Sequence, residues 1–92
     1  MWVLLGSNDA HESLRELEHD RSRRQDLAAV RRVLGRLELD PFDPTLRTRQ
    51  FITQPLGHIR ATPVGYGEWY VFWQLGEEPG VIEIAQIGEV LL

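Results

Sequence analysis

The sequence contains no cysteine among its 92 residues. Disulfides and thiolate metal sites are therefore excluded, and the absence fits a protein of the cytoplasm. No stretch approaches about 18 consecutive apolar residues, so no membrane-spanning helix is predicted. The short apolar run near the start has no basic region before it, which is unlike a secretory signal peptide. We therefore expect a cytoplasmic protein that does not enter a membrane.

Lysine is also missing, so all ten side chains counted as Lys or Arg are arginines. A guanidinium group is planar, permanently charged and able to hold a phosphate through two parallel hydrogen bonds. The net charge is −4, whereas nucleic-acid-binding proteins usually present a basic face. Residues 41–60 hold three arginines and one carboxylate, but residues 61–92 hold five glutamates and no cation. Residues 1–40 balance seven arginines with eight carboxylates, so only the middle segment has the net positive charge that suits an anionic ligand.

The first half of the chain has the spacing of two amphipathic helices, predicted over residues 9–20 and 22–39. Each opens with a pair that matches a capping box, Asp9 with Glu12 and Ser22 with Gln25. Asp40-Pro41 is expected to end the second helix. The predicted buried stripe of this helical hairpin comprises Leu14, Leu17, Leu27, Val30, Leu34 and Leu37.

After the helices the apolar period changes from that of a helix to that of a strand, with strands predicted at 58–64, 69–75 and 81–90. Pro63 indicates an edge or a bulge, while "WYVFW" is apolar on both faces and is expected in the middle of a sheet. With a short N-terminal strand, "MWVLL", the order is β-α-α-β-β-β. We therefore predict one α+β domain, residues 1–92, with a three-stranded antiparallel sheet after the helices.

Three motifs resemble those of the RelE/ParE toxin superfamily of bacterial type II toxin-antitoxin systems. They are "LRTRQF" at 46–51, "WYVFW" at 69–73 and "IGEV" at 87–90. The resemblance spans essentially the whole chain and implies the RelE-like order of a short strand, a helical hairpin and an antiparallel sheet. The chain differs from the family at the usual catalytic positions. Tyr70 and Glu89 stand where the family has basic residues, and Arg49 stands where a histidine is common.

The resemblance implies the toxin component of a toxin-antitoxin system, held by a cognate antitoxin. Ribosome-dependent members cleave mRNA without a metal or other cofactor, by moving the ribose 2′-hydroxyl onto the adjacent phosphate. The alternative is a noncatalytic protein-binding module on the same fold, acting on DNA gyrase as ParE-like members do or serving as a homodimeric orphan domain. The acidic closing strands favour this alternative over an active ribonuclease.

Candidate site residues follow from the resemblance and from the residue types present. The catalytic candidates are His58, as a base or acid, with Arg60, Tyr70 and Glu89. The nucleic-acid-binding candidates are Arg47, Arg49, Arg60 and Tyr66. The arginines and His58 have an ordinary structural explanation as well, because solvated arginines and surface histidines are common in connecting segments. Tyr66, between two glycines, is less easily explained as a core residue.

Two expectations concern geometry. Arg47, Arg49 and Arg60 are expected to point to the same side of the sheet, since residues two apart in an extended segment share a face. The strands at 58–64 and 81–90 are expected to leave an edge and a concave face of the sheet uncovered. An uncovered edge predicts a protein ligand, either an antitoxin segment or a second copy of the chain.

Overall fold

The computed structural model describes residues 2–53, 57–65 and 69–89 and has an α+β architecture. Its helices and strands, in chain order, are β1 (Trp2–Leu5), α1 (Asn8–His19), α2 (Arg24–Leu39), β2 (Arg49–Thr53), β3 (Gly57–Pro63), β4 (Trp69–Leu75) and β5 (Val81–Glu89). Single turns of 3₁₀ helix at Arg21–Arg23 and Pro44–Leu46 precede α2 and β2. Neither α1 nor α2 is long and apolar enough to span a membrane.

All five strands form one mixed sheet in the order β1-β5-β4-β3-β2. The pairs β2–β3, β3–β4 and β4–β5 are antiparallel, whereas β1 runs parallel to β5. The predicted three-stranded sheet was too small, because β1 joins the same sheet and β2 was not predicted at all. The sequence "RQFIT" of β2 has no apolar alternation that marks a strand, and it is pairing with β3 that extends it.

The edges of the sheet also differ from the expectation. Both predicted edge strands, β3 and β5, are internal, because β2 covers β3 and β1 covers β5. Pro63 is the last residue of β3 and lies opposite Tyr70. It marks neither an edge strand nor a bulge, because β3 is internal and its pairing with β4 is regular. The bulge lies instead between β4 and β5, where the pairing register shifts after Phe72.

Helices α1 and α2 cover one face of the sheet, and β4 lies at the centre of the strand order, as predicted. Val71 and Trp73 of β4 are buried beneath the helices, and Trp69 is partly buried there. Leu17, Val30 and Leu37 of the predicted stripe are buried, while Leu14, Leu27 and Leu34 are partly buried against the same core. Burial of each large apolar side chain contributes about 1.5–3 kcal/mol, so this face accounts for much of the stability.

The helix starts differ from both predicted capping boxes. Ser7 caps α1, because its side chain accepts a hydrogen bond from the backbone N–H of Ala10. Asp20 caps the 3₁₀ turn before α2 through the N–H of Ser22, so Ser22 itself is not the cap. The predicted end of the second helix is confirmed, since α2 ends at Leu39 immediately before Asp40-Pro41.

Candidate functional site

The segment between α2 and β2 forms one wall of a surface pocket and is shaped by two aspartates. The Asp40 carboxylate accepts a hydrogen bond from the N–H of Phe42 (3.0 Å). Asp43 caps the short 3₁₀ helix Pro44–Leu46 and accepts from the N–H of Thr45 (2.9 Å). Short side-chain acceptors of this kind fix turns through the backbone two residues on. These hydrogen bonds therefore define the shape of the segment around its single 3₁₀ turn.

Arg36 of α2 ties this segment to the helix. Its guanidinium lies 3.5 Å from a carboxylate oxygen of Asp43 and donates to the hydroxyl of Thr45. The pKa of Asp43 is lowered, first by the backbone hydrogen bond from Thr45, then by the Thr45 hydroxyl, with a smaller contribution from Arg36. Asp43 is therefore a paired anion and a weak base.

Arg47 turns the chain from the 3₁₀ helix into β2. It has a left-handed backbone conformation (φ 57°, ψ 32°), which residues other than glycine seldom adopt, and its N–H donates to the carbonyl of Pro44 (3.2 Å). The following residue, Thr48, shares a 2.7 Å hydrogen bond with Thr62 of β3. The Arg47 side chain is thus exposed, while hydrogen bonds hold the chain before it, at Pro44, and after it, at Thr48.

Arg60 of β3 is held by aromatic rings on the same side of the sheet. It lies opposite Trp73 of β4, and its guanidinium carbon is 5.5 Å from the Trp73 ring centroid and 5.7 Å from that of Phe42. The Phe42 and Trp73 rings meet edge to face at 6.2 Å. Among the described residues, no carboxylate lies within ion-pair distance of Arg60 or Arg47. The rings position the Arg60 cation without neutralising it.

These elements enclose a pocket of about 360 Å³, which is within the range of small-ligand sites. It is lined by Pro41, Phe42, Asp43, Pro44, Arg47, Thr48, Gln50 and Arg60. Two guanidinium groups, an exposed aromatic ring, a hydroxyl and an amide therefore face one space. Among the described lining residues the only carboxylate is that of Asp43, which already has Arg36 as a partner, so the pocket suits an anion.

The pairing register separates Arg49 from this pocket. Gln50 of β2 lies opposite Arg60, whereas Arg49 lies opposite Ala61. Directly opposed residues share a face and successive residues alternate, so Arg49 and Arg60 are on opposite faces of the sheet. The expectation that all three arginines converge is wrong for Arg49. A shift of β2 by one residue along β3 would place Arg49 instead of Gln50 on the pocket side of the sheet. Nothing in the sequence fixes that register.

The proposed catalytic residues are not brought to one place by the described part of the chain. Tyr70 lies opposite Pro63 and Gly88, beside Phe72 on the face away from the helices, whereas Arg60 is on the helix-covered side. Glu89 is exposed at the end of β5. The backbone of His58 pairs with Ile52, but its side chain lies outside the described structure, as does the whole of Tyr66.

Phe42 and Gln50 were not predicted as site residues. Phe42 stands between Pro41 and Asp43-Pro44, and a large apolar residue fixed in such a turn could have been recognised as a candidate contact surface. Gln50 carries no comparable feature, because its place in the pocket depends on the β2–β3 register. In the described ranges, no three His, Asp or Glu side chains come together as metal ligands.

Comparison with family models, with curated proteins and with solved structures finds no match for this chain.

Proposed function

We propose that the chain is a RelE/ParE-like toxin component that binds the phosphate backbone of RNA in the pocket of Arg47 and Arg60. The observation that carries the proposal is the presence of both guanidinium groups in one pocket, neither with a described carboxylate partner. The order of a strand, two helices and antiparallel strands supports the family assignment, with β2 as an addition.

Phosphate is the anion that this arrangement suits best. Guanidinium groups bind phosphate oxygens through charge-assisted hydrogen bonds, and the contacts of Arg60 with two rings reduce the entropy lost on binding. Phe42, at the pocket wall, is 58% exposed as a residue. Unpaired RNA bases stack on such rings, so the pocket has features for both the phosphate and the base of a single strand.

The proposal is for binding rather than cleavage. Transfer of a phosphoryl group needs a base and an acid within reach of the same phosphate. Among the described side chains, Asp43 is the only carboxylate in the pocket, and its lowered pKa makes it a poor base. Tyr70 lies on the other face of the sheet. We infer that the protein would act by occupying RNA, in the cytoplasm, under the control of a cognate antitoxin.

A second candidate function, binding to a protein target, is favoured by the sheet face that the helices leave uncovered. On this face Tyr70 and Phe72 are partly exposed, with their ring centroids 6.0 Å apart. At the β1 margin Trp2 is 73% exposed and Leu4 is 51% exposed. Apolar side chains grouped in this way are typical of interaction surfaces. The candidate partners are an antitoxin, a gyrase-type target or a second copy of the chain.

The test is induced expression in a bacterial host of the wild type, of the double variant Arg47→Gln with Arg60→Gln, and of Arg49→Gln. Arg49 is a matched control, because it is an arginine of the same sheet on the opposite face. The proposal predicts slowed growth and RNA crosslinked to the wild type and to Arg49→Gln, and loss of both effects in the double variant.

Three outcomes would contradict the proposal in different ways. Growth arrest by the double variant without bound RNA would favour a protein target. New 5′ ends in mapped mRNA would show cleavage rather than occupation. Absence of any growth effect from the wild type would remove the toxin assignment, whether or not RNA is bound.

A further inference from the structure

The edge strand β1 presents apolar side chains to solvent on one face of the sheet. Val3 and Leu5 lie opposite Ile82 and Ile84 and pack against the core. Trp2 and Leu4 alternate with them and therefore project from the face away from the helices. They are 73% and 51% exposed. Each of these two residues is far more exposed than the apolar residues beside it.

The backbone of β1 also has hydrogen-bonding groups that no described strand uses. The N–H groups of Trp2 and Gly6 donate to Gly80 (2.8 Å) and Ile84 (2.9 Å) on the β5 side. Because strand N–H groups alternate in direction, those of Val3 and Leu5 point away from β5. No other strand of the described ranges lies beyond β1. Natural edge strands are usually protected by charge, proline or a bulge, and "WVLL" has none of these.

Three glutamates lie at or near this edge. Leu4 lies directly opposite Glu83, which accepts a hydrogen bond from Gln74 (3.3 Å) but has no cationic partner among the described residues. Glu77 and Glu78 are exposed in the turn that ends at Gly80, where β1 begins its pairing. Residues 61–92 contain no lysine or arginine. Within the described ranges, the edge therefore combines apolar side chains, backbone donors that point away from β5, and glutamates without a cationic partner.

We propose that β1 binds an extended, basic and apolar peptide segment of another protein, which adds a sixth strand to the sheet. Backbone groups of the segment would pair with Val3 and Leu5, its apolar side chains would cover Trp2 and Leu4, and its cations would lie near Glu83. Strand addition at an open edge uses this combination of main-chain pairing and alternate side-chain contacts.

Charge decides between this segment and a second copy of the chain. Each copy would bring the glutamates of the β4–β5 turn and of β5 to the shared surface, with no cation from the closing strands, and like charges across an interface are unfavourable. A basic segment neutralises the same groups. The inference is independent of the RNA proposal, because it uses a different edge of the sheet.

The test uses a labelled peptide of about eight residues, alternating lysine and valine, titrated into the full chain at low ionic strength. Binding is expected for this peptide and not for its counterpart with glutamate in place of lysine. The variant Trp2→Ser with Leu4→Ser should weaken binding at least about tenfold, since it removes both apolar contacts. Equal binding of the two peptides would overturn the proposal.

Two double variants with the same change in net charge test whether glutamates near β1 act on peptide binding locally. Glu78→Gln with Glu83→Gln should weaken binding several-fold, whereas Glu12→Gln with Glu16→Gln, on the exposed side of α1, should leave it unchanged. Equal weakening by both pairs would mean that only the net charge matters, and would overturn the proposal.

Amide hydrogen exchange of the wild type gives a second result that does not depend on any variant folding correctly. The peptide should slow exchange at Val3 and Leu5, whose N–H groups point outward, more than at Trp2 and Gly6, which are already bonded. Protection confined to the other edge strand, β2, would contradict the proposal. Self-association through β1, detected by sedimentation without peptide, would also contradict it.

Discussion

Arg60 and Trp73 face each other across β3 and β4, with the guanidinium carbon 5.5 Å from the centroid of the indole ring. Trp73 is fully buried, so the underside of this arginine rests on the core while its charge remains at the pocket. Long cationic side chains often bury their apolar part in this way. This residue pair therefore connects the core to the candidate site.

Thr62 links the same tryptophan to the pocket wall, and its replacement should be costly. The hydroxyl of Thr62 is buried, accepts from the Trp73 indole N–H (2.9 Å) and contacts Thr48 (2.7 Å). Thr62→Val leaves the indole N–H unpaired and should lower the free energy of unfolding by about 1–3 kcal/mol in urea titrations. Thr48→Val retains the acceptor for Trp73 and should cost less. An equal loss in both variants would show that the indole bond is unimportant.

Two leucines near the end of α2 test the packing of the helices on the sheet. Leu37 is fully buried, whereas Leu39 is 85% exposed. Leu37→Ala should lower the free energy of unfolding by about 2–5 kcal/mol through lost burial and the cavity left behind. Leu39→Ala should change it by less than about 0.5 kcal/mol. Similar values from denaturant unfolding of the two variants would contradict the proposed helix orientation.

The left-handed backbone of Arg47 predicts a gain in stability when glycine replaces it. A non-glycine residue in this region has a backbone strain of roughly 1–2 kcal/mol, which glycine removes. Unfolded glycine is more flexible than unfolded alanine, and this offsets part of the gain. Arg47→Gly should therefore be more stable than Arg47→Ala by up to about 1 kcal/mol in thermal or urea unfolding. Both variants lack the cation and should bind RNA more weakly. A glycine variant less stable than the alanine variant would contradict the assigned conformation.

Asp43 should make stability depend on pH in the acid range. Its pKa is lowered in the folded chain, so the unfolded chain binds more protons near the usual aspartate pKa of about 3.9. The stabilisation is present above that value and is lost as the pH falls through the folded pKa. Asp43→Asn should therefore reduce the fall in urea midpoint between about pH 6 and about pH 2.5. An unchanged fall would show that the Thr45 hydrogen bonds do not favour the ionised form.

Much of the fold could be predicted because the local pattern and the global packing agree. Helical spacing identified the stripe that includes Leu17, Val30 and Leu37, and the two apolar faces of "WYVFW" correctly indicated a central strand. The strand β2 could not be predicted, since its sequence is mixed and its extended form depends on pairing with β3. Tertiary pairing often overrides weak local preference in this way.

The candidate site was only half predicted for the same reason. Arg47 and Arg60 were predicted to bind an anion from residue type and charge distribution, and both line the pocket. Arg49 was grouped with them because spacing of two predicts a shared face, but the observed register places Gln50 opposite Arg60. The contribution of Phe42 depends on hydrogen bonds in the turn after α2, which spacing rules do not describe.

The most direct test of the RNA proposal is the salt dependence of binding to a single-stranded RNA oligonucleotide. Each phosphate contact contributes roughly −0.7 to the slope of log affinity against log salt concentration. The variant Arg47→Gln with Arg60→Gln should therefore bind more weakly and lose about 1.4 from the magnitude of the wild-type slope. Arg49→Gln, on the other face, should keep the wild-type affinity and slope. Equal losses in Arg49→Gln and the double variant, or a double variant that binds like the wild type, would contradict the account.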